Sequence, residues 1–374
     1  MDREFQIFVK PVGAACNLRC SYCYYLGKHD VGITDQPAVM PDDILEKYII
    51  QHIEATTDET IMFSWHGGEP VMAGINFFRK VVTLQRKNLP TGKSLLNGIQ
   101  TNGTLLTNEF CSFMASEGFI AGISVDGPEE LHNIHRQTPG RGSSFARVIN
   151  GYKLLRRHGV RSEILCVVGK HNAGHPSEVY EFLKKLGAEY ITFLPLVMPA
   201  DLSSGQVAPD SVGAREFGDF LIKIFDEWKV KDIGRIKIQV FEETIRSAFD
   251  QDHTLCIFKV NCGGVPVVER NGDFYSCDHF VYSDHLIGNI TNRSVAEMLD
   301  SPEQKAFGAA KSETLPQYCR SCDVIKMCNG ECPKNRFIKT PDGEPGLSYL
   351  CEGYKKFFTH CLPFIDAVRK AKLM

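Results

Sequence analysis

The chain has 374 residues, 14 of them cysteine, and a formal net charge of −3, a length that accommodates one large α/β domain and a smaller one. That charge argues against a nucleic-acid footprint, no apolar run approaches the roughly 20 residues that span a bilayer, and the opening Met-Asp-Arg-Glu lacks the apolar segment of a signal peptide. Cysteines in a chain that is not exported read as metal ligands or reactive thiols rather than disulfides, so the expected setting is a reducing, anaerobic cytoplasm.

The first 200 residues alternate β-rich runs with amphipathic helical stretches. Phe5–Val12 predicts a strand and Asp42–Glu54 a helix with an acidic first turn. Thr60–Trp65 is a second strand, followed by a helix over Phe77–Lys87. Leu95–Gln100 is the third, with Thr107 placed to cap a helix over Asn108–Glu117. Ala121–Val125, Ser162–Val168 and Tyr190–Leu196 supply strands four to six, separated by helices over Phe145–His158 and Ser177–Leu186. Such alternation implies a parallel sheet with right-handed crossovers. Six units are too few for the closed eight-unit barrel, so an α/β fold with an open, partial (β/α)6 barrel is expected over residues 1–200. The polar stretch Asp201–Gly213 reads as a surface excursion or the start of a linker. A helix Arg215–Trp228, a strand Arg235–Val240 and a helix Glu242–Phe249 fill residues 201–250, a connecting segment completing the barrel side. A small cysteine-rich domain is expected over 251–361, and a tail over 362–374.

Polar motifs follow each of the first four strands: the cysteine loop, Gly67-Gly68-Glu69-Pro70, Thr101-Asn102-Gly103 and Asp126-Gly127-Pro128. Sites in parallel α/β folds gather at the carboxyl ends of strands. Each motif alone could be a Gly-rich turn; four together describe one site.

The cysteine loop carries Cys16, Cys20 and Cys23 as C-x3-C-x2-C. Three thiolates on one loop can hold three corners of a four-iron cluster and leave the fourth iron open to a small molecule. A structural zinc site wants four ligands and no vacancy; here His29 could complete a zinc knuckle. The second array comprises Cys256, Cys262, Cys277, then Cys319-x2-Cys322-x5-Cys328-x3-Cys332, and Cys351. Asn271-Gly272, between the apolar runs Val265–Glu269 and Phe274–Ser276, is a hairpin signal that folds Cys277 back toward Cys262. Eight thiolates suit two fully ligated four-iron clusters or two zinc sites. Cys111 and Cys166 fall in predicted element interiors, where cysteine behaves as a small buried hydrophobe; Cys361 also stands apart from the arrays.

The N-terminal spacing, with Tyr22 before the third cysteine, resembles the signature of the radical S-adenosylmethionine (SAM) enzymes. The run from Cys256 to Cys351, including C-x9-G-x4-C over Cys262, Gly272 and Cys277, is similar to the SPASM auxiliary-cluster domain, in the full-ligation variant of anaerobic sulfatase-maturating enzymes. Lys10-Pro11-Val12-Gly13, Gln100–Leu105, Ser124–Pro128, Tyr275–Phe280 and Cys328–Phe337 point the same way, so the resemblance spans residues 5–361.

The resemblance implies that Cys16, Cys20 and Cys23 bind the SAM-reducing cluster, with two further [4Fe-4S] clusters on Cys256, Cys262, Cys277 and Cys332 and on Cys319, Cys322, Cys328 and Cys351. For SAM it implies Gly67, Gly68 and Glu69 at the methionine amino group, with main-chain contacts from Tyr22 and Gly68. Ser124 and Asp126 are expected at the ribose, Arg136 at the carboxylate and Val197 at the adenine; alone, Arg136 would read as a surface charge. The implied reaction cleaves SAM to a 5′-deoxyadenosyl radical, which takes hydrogen from Cβ of a cysteine or serine in an unfolded sulfatase precursor. A base removes the thiol or hydroxyl proton and an electron leaves through the auxiliary clusters; serine gives formylglycine directly, and the thioaldehyde from cysteine is hydrolysed to it. Asp278 is the expected base, unless it only makes a hairpin-end turn. Tyr25, His66 and Gln100 are expected to flank the substrate opening; the family pattern can carry Gln at the position of His66, a departure that leaves the peptide contacts open. A flavodoxin- or ferredoxin-like protein is the implied electron donor, with no nucleic-acid or membrane partner. The competing enzyme reading is a radical SAM modification of a ribosomal peptide by thioether, cross-link or epimerisation. A peptide-binding N-terminal extension would favour it, whereas the chain opens almost directly at strand one. A non-catalytic electron carrier or zinc module would have no need of the open-iron loop.

Overall fold

A computed structural model describes residues 3–26, 38–201 and 206–372. In chain order the strands are β1 (Phe8–Val9), β2 (Thr60–Trp65), β3 (Ser94–Thr101), β4 (Ile120–Ser124), β5 (Arg161–Val168) and β6 (Tyr190–Pro195). A short antiparallel pair follows, β7 (Pro199–Asp201) and β8 (Gln206–Val207), then β9 (Lys237–Ile238), β10 (Val267–Val268), β11 (Asp273–Tyr275) and β12 (Leu286–Asn289). The six strand–helix alternations are present, and the fold is α/β with parallel strands. Two predicted strands shrink. β1 keeps two residues because the chain turns at Pro11, with Gly13 N donating to Lys10 O. The strand expected over Arg235–Val240 ends at Ile238 because a helix over Gln239–Arg246 starts there.

The chain forms two compact units. The first comprises Met1–Ser124, His135–Ser162 and Gly263–Gly308. Its strands lie in the order β12-β11-β10-β1-β2-β3-β4. β1 to β4 run parallel, and β10 joins the free side of β1 in parallel register, Phe8 opposite Val267. β11 and β12 then continue antiparallel. The predicted Asn271-Gly272 hairpin is thus real, and it extends the sheet next to the first strand. Thr107 caps the helix Asn108–Ser116 as expected, accepting from Phe110 N at 3.2 Å. The core under β2 is aromatic: Trp65 and Phe63 are buried against Phe78, Tyr48 and His52. His52 bridges Tyr48 Oη and the Met62 carbonyl, each at 3.0 Å.

The second unit comprises Val125–Ile134, Glu163–Cys262 and Ala309–Met374. Here β5, β6 and β9 pair in parallel. Helix Ala214–Lys231 packs on the final helix, Cys351–Lys372, through Phe217 and Tyr354 and through Gly218 and Gly353. A Cβ at Gly353 would strike the Ala214 carbonyl. Only glycine allows that approach, and it fixes the end of the helix that begins with Cys351. No helix among the described residues is long and apolar enough to cross a membrane.

Candidate functional site

Cys16, Cys20 and Cys23 stand on the loop after β1, in the first unit. Main-chain bonds fix the loop: Arg19 N to Gln137 O at 2.7 Å, Ser21 N to His135 O at 3.1 Å and Cys23 N to Cys20 O at 3.0 Å. Cys16 Sγ accepts from Leu18 N at 3.4 Å and from Asn102 Nδ2 at 3.7 Å. Burial nonetheless pushes the Cys16 thiol up to about 12, with the charges of Glu69, Cys20 and Cys23 adding to it. Such a group ionises readily only when a cation shares the site, which suits a metal cluster. All 14 cysteines are free of disulfide bonds. His29, the alternative zinc ligand, lies outside the described residues.

The Gly67-Gly68-Glu69 turn leaves β2 and rests on this loop. Gly68 N donates to Gly13 O and Glu69 N to Ala15 O, each at 2.8 Å. A Cβ on Gly68 would collide with the carbonyl oxygens of Ala14 and Ala15, so the close approach needs glycine. The Glu69 carboxylate is fully buried and accepts from Val71 N at 3.0 Å, Thr101 Oγ1 at 2.7 Å and Asn102 N at 2.7 Å. Burial raises its pKa, those three donors and the charge of Arg136 working against it. Arg136 is 5% exposed rather than on the surface, and its Nη1 donates to Tyr22 Oη at 2.8 Å. Gln100 Nε2 donates to Ser124 Oγ at 3.2 Å, which brings a predicted substrate contact to a predicted ribose contact.

Asp278 follows Cys277 at the end of the hairpin and is buried. Its Oδ1 makes an ion pair with Lys10 Nζ at 2.7 Å, and its Oδ2 accepts from Tyr24 Oη at 2.6 Å. Tyr24 is the residue after Cys23, so one side chain links the carboxylate to the cysteine loop. The Lys10 side chain is wholly buried and lies over the Tyr25 ring at 4.9 Å. His66 stacks on Phe8, rings 3.8 Å apart. Burial, with help from the charge of Lys10, pushes its imidazole down to about 3, so it is neutral. Tyr25, expected at the substrate opening, is 3% exposed. Its hydroxyl donates to the buried Glu269 at 2.8 Å, which gives that carboxylate a donor and holds Tyr25 in the core.

Lys10, Tyr24, Glu269 and Asn102 were not singled out from sequence. Lys10 and Asn102 had a signal, since they sit inside Lys10-Pro11-Val12-Gly13 and Thr101-Asn102-Gly103. Asp126 and Val197 lie in the second unit, both buried. Asp126 Oδ1 accepts from Val167 N at 3.0 Å, so its carboxylate ties the start of that unit to β5.

In the second unit Cys319, Cys322, Cys328 and Cys351 line one small cavity, together with Tyr318, Val324, Ile325, Gly330 and Lys355. Among the described residues no three Cys, His, Asp or Glu side chains converge on a single-ion point. Cys256, Cys262 and Cys332 share the second unit with Lys311, whose charge they all feel. Cys277 belongs to the first unit, where Gln304 Nε2 donates to Gly263 O at 2.8 Å and Ser276 O at 3.2 Å. That amide ties the residue after Cys262 to the residue before Cys277. Glu243, on the helix before this array, accepts from His253 Nδ1 at 2.7 Å and Leu255 N at 2.9 Å, steadying the approach to Cys256.

Comparison with known proteins matches residues 11–183 to the radical SAM superfamily and residues 262–323 to the SPASM iron-sulfur cluster-binding domain. The chain is 42% identical to a serine-type anaerobic sulfatase-maturating enzyme of Bacteroides thetaiotaomicron, over 98% of this chain and 92% of that one. It is 29% identical to a cysteine-type enzyme of Clostridium perfringens, over 96% of both. A solved structure described as native anSMEcpe with bound AdoMet and Kp18Cys peptide superposes with a TM-score of 0.88 at 27% identity, covering 98% of this chain and 99% of the other.

Proposed function

The chain belongs to the anaerobic sulfatase-maturating enzymes of the radical SAM superfamily, and on that premise we propose that it oxidises a serine of an unfolded sulfatase precursor to Cα-formylglycine, with Asp278 as the base. The observation that carries this reading is the buried Lys10–Asp278 ion pair, joined through Tyr24 Oη to the residue after the third cysteine. The higher identity to the serine-type relative supports serine over cysteine.

Cys16, Cys20 and Cys23 would hold the four-iron cluster that, with SAM, supplies a 5′-deoxyadenosyl radical able to take hydrogen from the substrate Cβ. Gly68 and Tyr22 offer main-chain groups to the methionine end of SAM, and Arg136 offers its guanidinium to the carboxylate. Glu69 orders the wall beneath by gathering Thr101 and Asn102. Ser124 and Asp126 serve the ribose and Val197 the adenine.

Asp278 accepts the substrate hydroxyl proton. Lys10 pairs with the carboxylate and aims it, since a buried carboxylate without a partner is costly. Tyr24 donates to the second oxygen and can pass a proton on toward solvent. His66, neutral and stacked on Phe8, presents a ring nitrogen to the peptide; Gln100 presents its amide. The C-terminal array would hold two further clusters over 251–361, divided by the family's pattern as Cys256, Cys262, Cys277 and Cys332 and as Cys319, Cys322, Cys328 and Cys351. A flavodoxin- or ferredoxin-like donor in an anaerobic cytoplasm completes the system.

The test uses two peptides, Ser-x-Pro-x-Arg and Cys-x-Pro-x-Arg, each incubated anaerobically with reconstituted enzyme, SAM and a strong reductant, and read by mass spectrometry. The serine peptide should lose two hydrogens while an equal amount of 5′-deoxyadenosine forms. Aldehyde from the cysteine peptide alone overturns the serine assignment. 5′-Deoxyadenosine with both peptides unchanged moves the substrate to another peptide class.

A further inference from the structure

Two cations lie inside the second unit among the cysteines, and neither takes part in the chemistry above. Lys311 is 1% exposed. Its ammonium donates to the carbonyls of Cys256 at 3.1 Å and Ile257 at 2.8 Å, and it makes no ion pair with a carboxylate among the described residues. The charged groups around it are Cys262, Cys332, Cys256 and a second cation, Arg336.

Arg336 is also taken up by carbonyls. Nε donates to Gly330 O at 2.7 Å, Nη1 to Lys311 O at 2.5 Å, and Nη2 to Asn329 O at 2.9 Å and Glu331 O at 3.2 Å. It too lacks an ion pair among the described residues, and the charges around it are Glu331, Cys319, Cys262 and Cys328. The Glu331 carboxylate is itself held by Asn335 and Ser348, each at 2.9 Å.

Burying an ammonium without a counter-charge costs several kcal/mol, and two neighbouring cations repel each other as well. With protonated thiols the arrangement is unfavourable. Four thiolates around a four-iron cluster give a net charge of about −2 oxidised and about −3 reduced, which supplies the missing negative charge. Coulomb attraction is greater for the more negative state.

We infer that Lys311 and Arg336 are positioning residues built in as counter-charges for the auxiliary clusters, raising their reduction potentials so that they accept electrons. The inference rests on the reading of the eight C-terminal cysteines as cluster ligands, but not on how the eight divide between clusters, since Arg336 neighbours members of both proposed sets.

The reconstituted holoenzyme and its Lys311→Met, Lys311→Arg, Arg336→Met and Arg336→Lys variants are assayed for iron and acid-labile sulfide. Each is then taken through an anaerobic redox titration followed by electron paramagnetic resonance. The neutral variants should show auxiliary-cluster midpoints displaced to more negative potential at wild-type iron content, and the charge-keeping variants should stay with the wild type. Loss of auxiliary iron from both neutral variants, with full iron in both charge-keeping ones, is the same result in stronger form. Unmoved midpoints in the neutral variants overturn the inference. So do equal displacements in the charge-keeping variants, which would make packing rather than charge the cause. A wild-type enzyme holding the iron of only one cluster overturns the ligand reading, and the inference falls with it.

Discussion

Replacing Lys10 by methionine keeps the length of the side chain and removes its charge from beneath Asp278. At the observed 2.7 Å, an effective dielectric of about 20 gives a gross attraction of about 6 kcal/mol. Desolvation of both groups offsets much of that in the intact pair, but breaking the pair leaves the carboxylate buried alone. The expected net loss of stability is about 3–5 kcal/mol. Activity should fall by about 10²–10⁴, the usual contribution of a positioned base, because an unpaired Asp278 no longer holds its aim. The decisive comparison is the double variant Lys10→Met/Asp278→Asn. With both charges gone, thermal unfolding of the iron-loaded enzyme should recover most of what Lys10→Met alone lost, while aldehyde formation stays abolished. If the double variant unfolds as early as the single one, or Lys10→Met unfolds and turns over like the wild type, the ion pair does not act as described.

Three other outcomes follow from named contacts. Gly68→Ala should drive the Ala14–Ala15 carbonyls off the glycine turn, costing about 1–3 kcal/mol or more as overpacking does and abolishing SAM binding by calorimetry. Burial holds the His52 imidazole down at about 4, so the unfolded chain takes up that proton first as acid is added. Stability should therefore be full above pH ~6.5 and decline toward pH ~4 by up to about 3 kcal/mol, and His52→Phe should flatten that stretch of a urea-midpoint profile against pH. Cys351→Ala should lose the iron of one cluster, because Cys351 lines the four-thiol cavity, whereas Cys111→Ala, fully buried in a helix, should lose none.

Alternation of period and turn residues made the strand–helix series legible, with β2 predicted to the residue and Thr107 capping where its hydroxyl was expected. The hairpin was legible as a hairpin, since Asn-Gly is a local signal. Its docking beside β1 was not, because nothing in Val267–Val268 says which distant edge it will meet. The same limit governs the site. Cysteine spacing announces ligands locally, but Lys10 inside a β-rich run reads as solvated until Asp278 is brought beneath it across the sheet. Arg136 alone read as a surface charge and is buried because Tyr22 Oη receives it. Tyr25 shows the same limit: it stands beside a cluster motif, and nothing local says that Glu269, distant in sequence, receives its hydroxyl.

The parallel pairing of β10 with β1 also sets a timetable. Lys10 N donates to Val268 O at 2.9 Å, so the strand that leads into the first cysteine loop has one side unmatched until residue 268 has been made. A chain emerging from the ribosome, amino end first, presents Cys16, Cys20 and Cys23 long before Asp278 exists to join Lys10. Closing such a distant contact is slow relative to local helix formation. The side of β1 that Val268 covers, and the Lys10–Asp278 ion pair with it, are therefore completed only after the hairpin has been made.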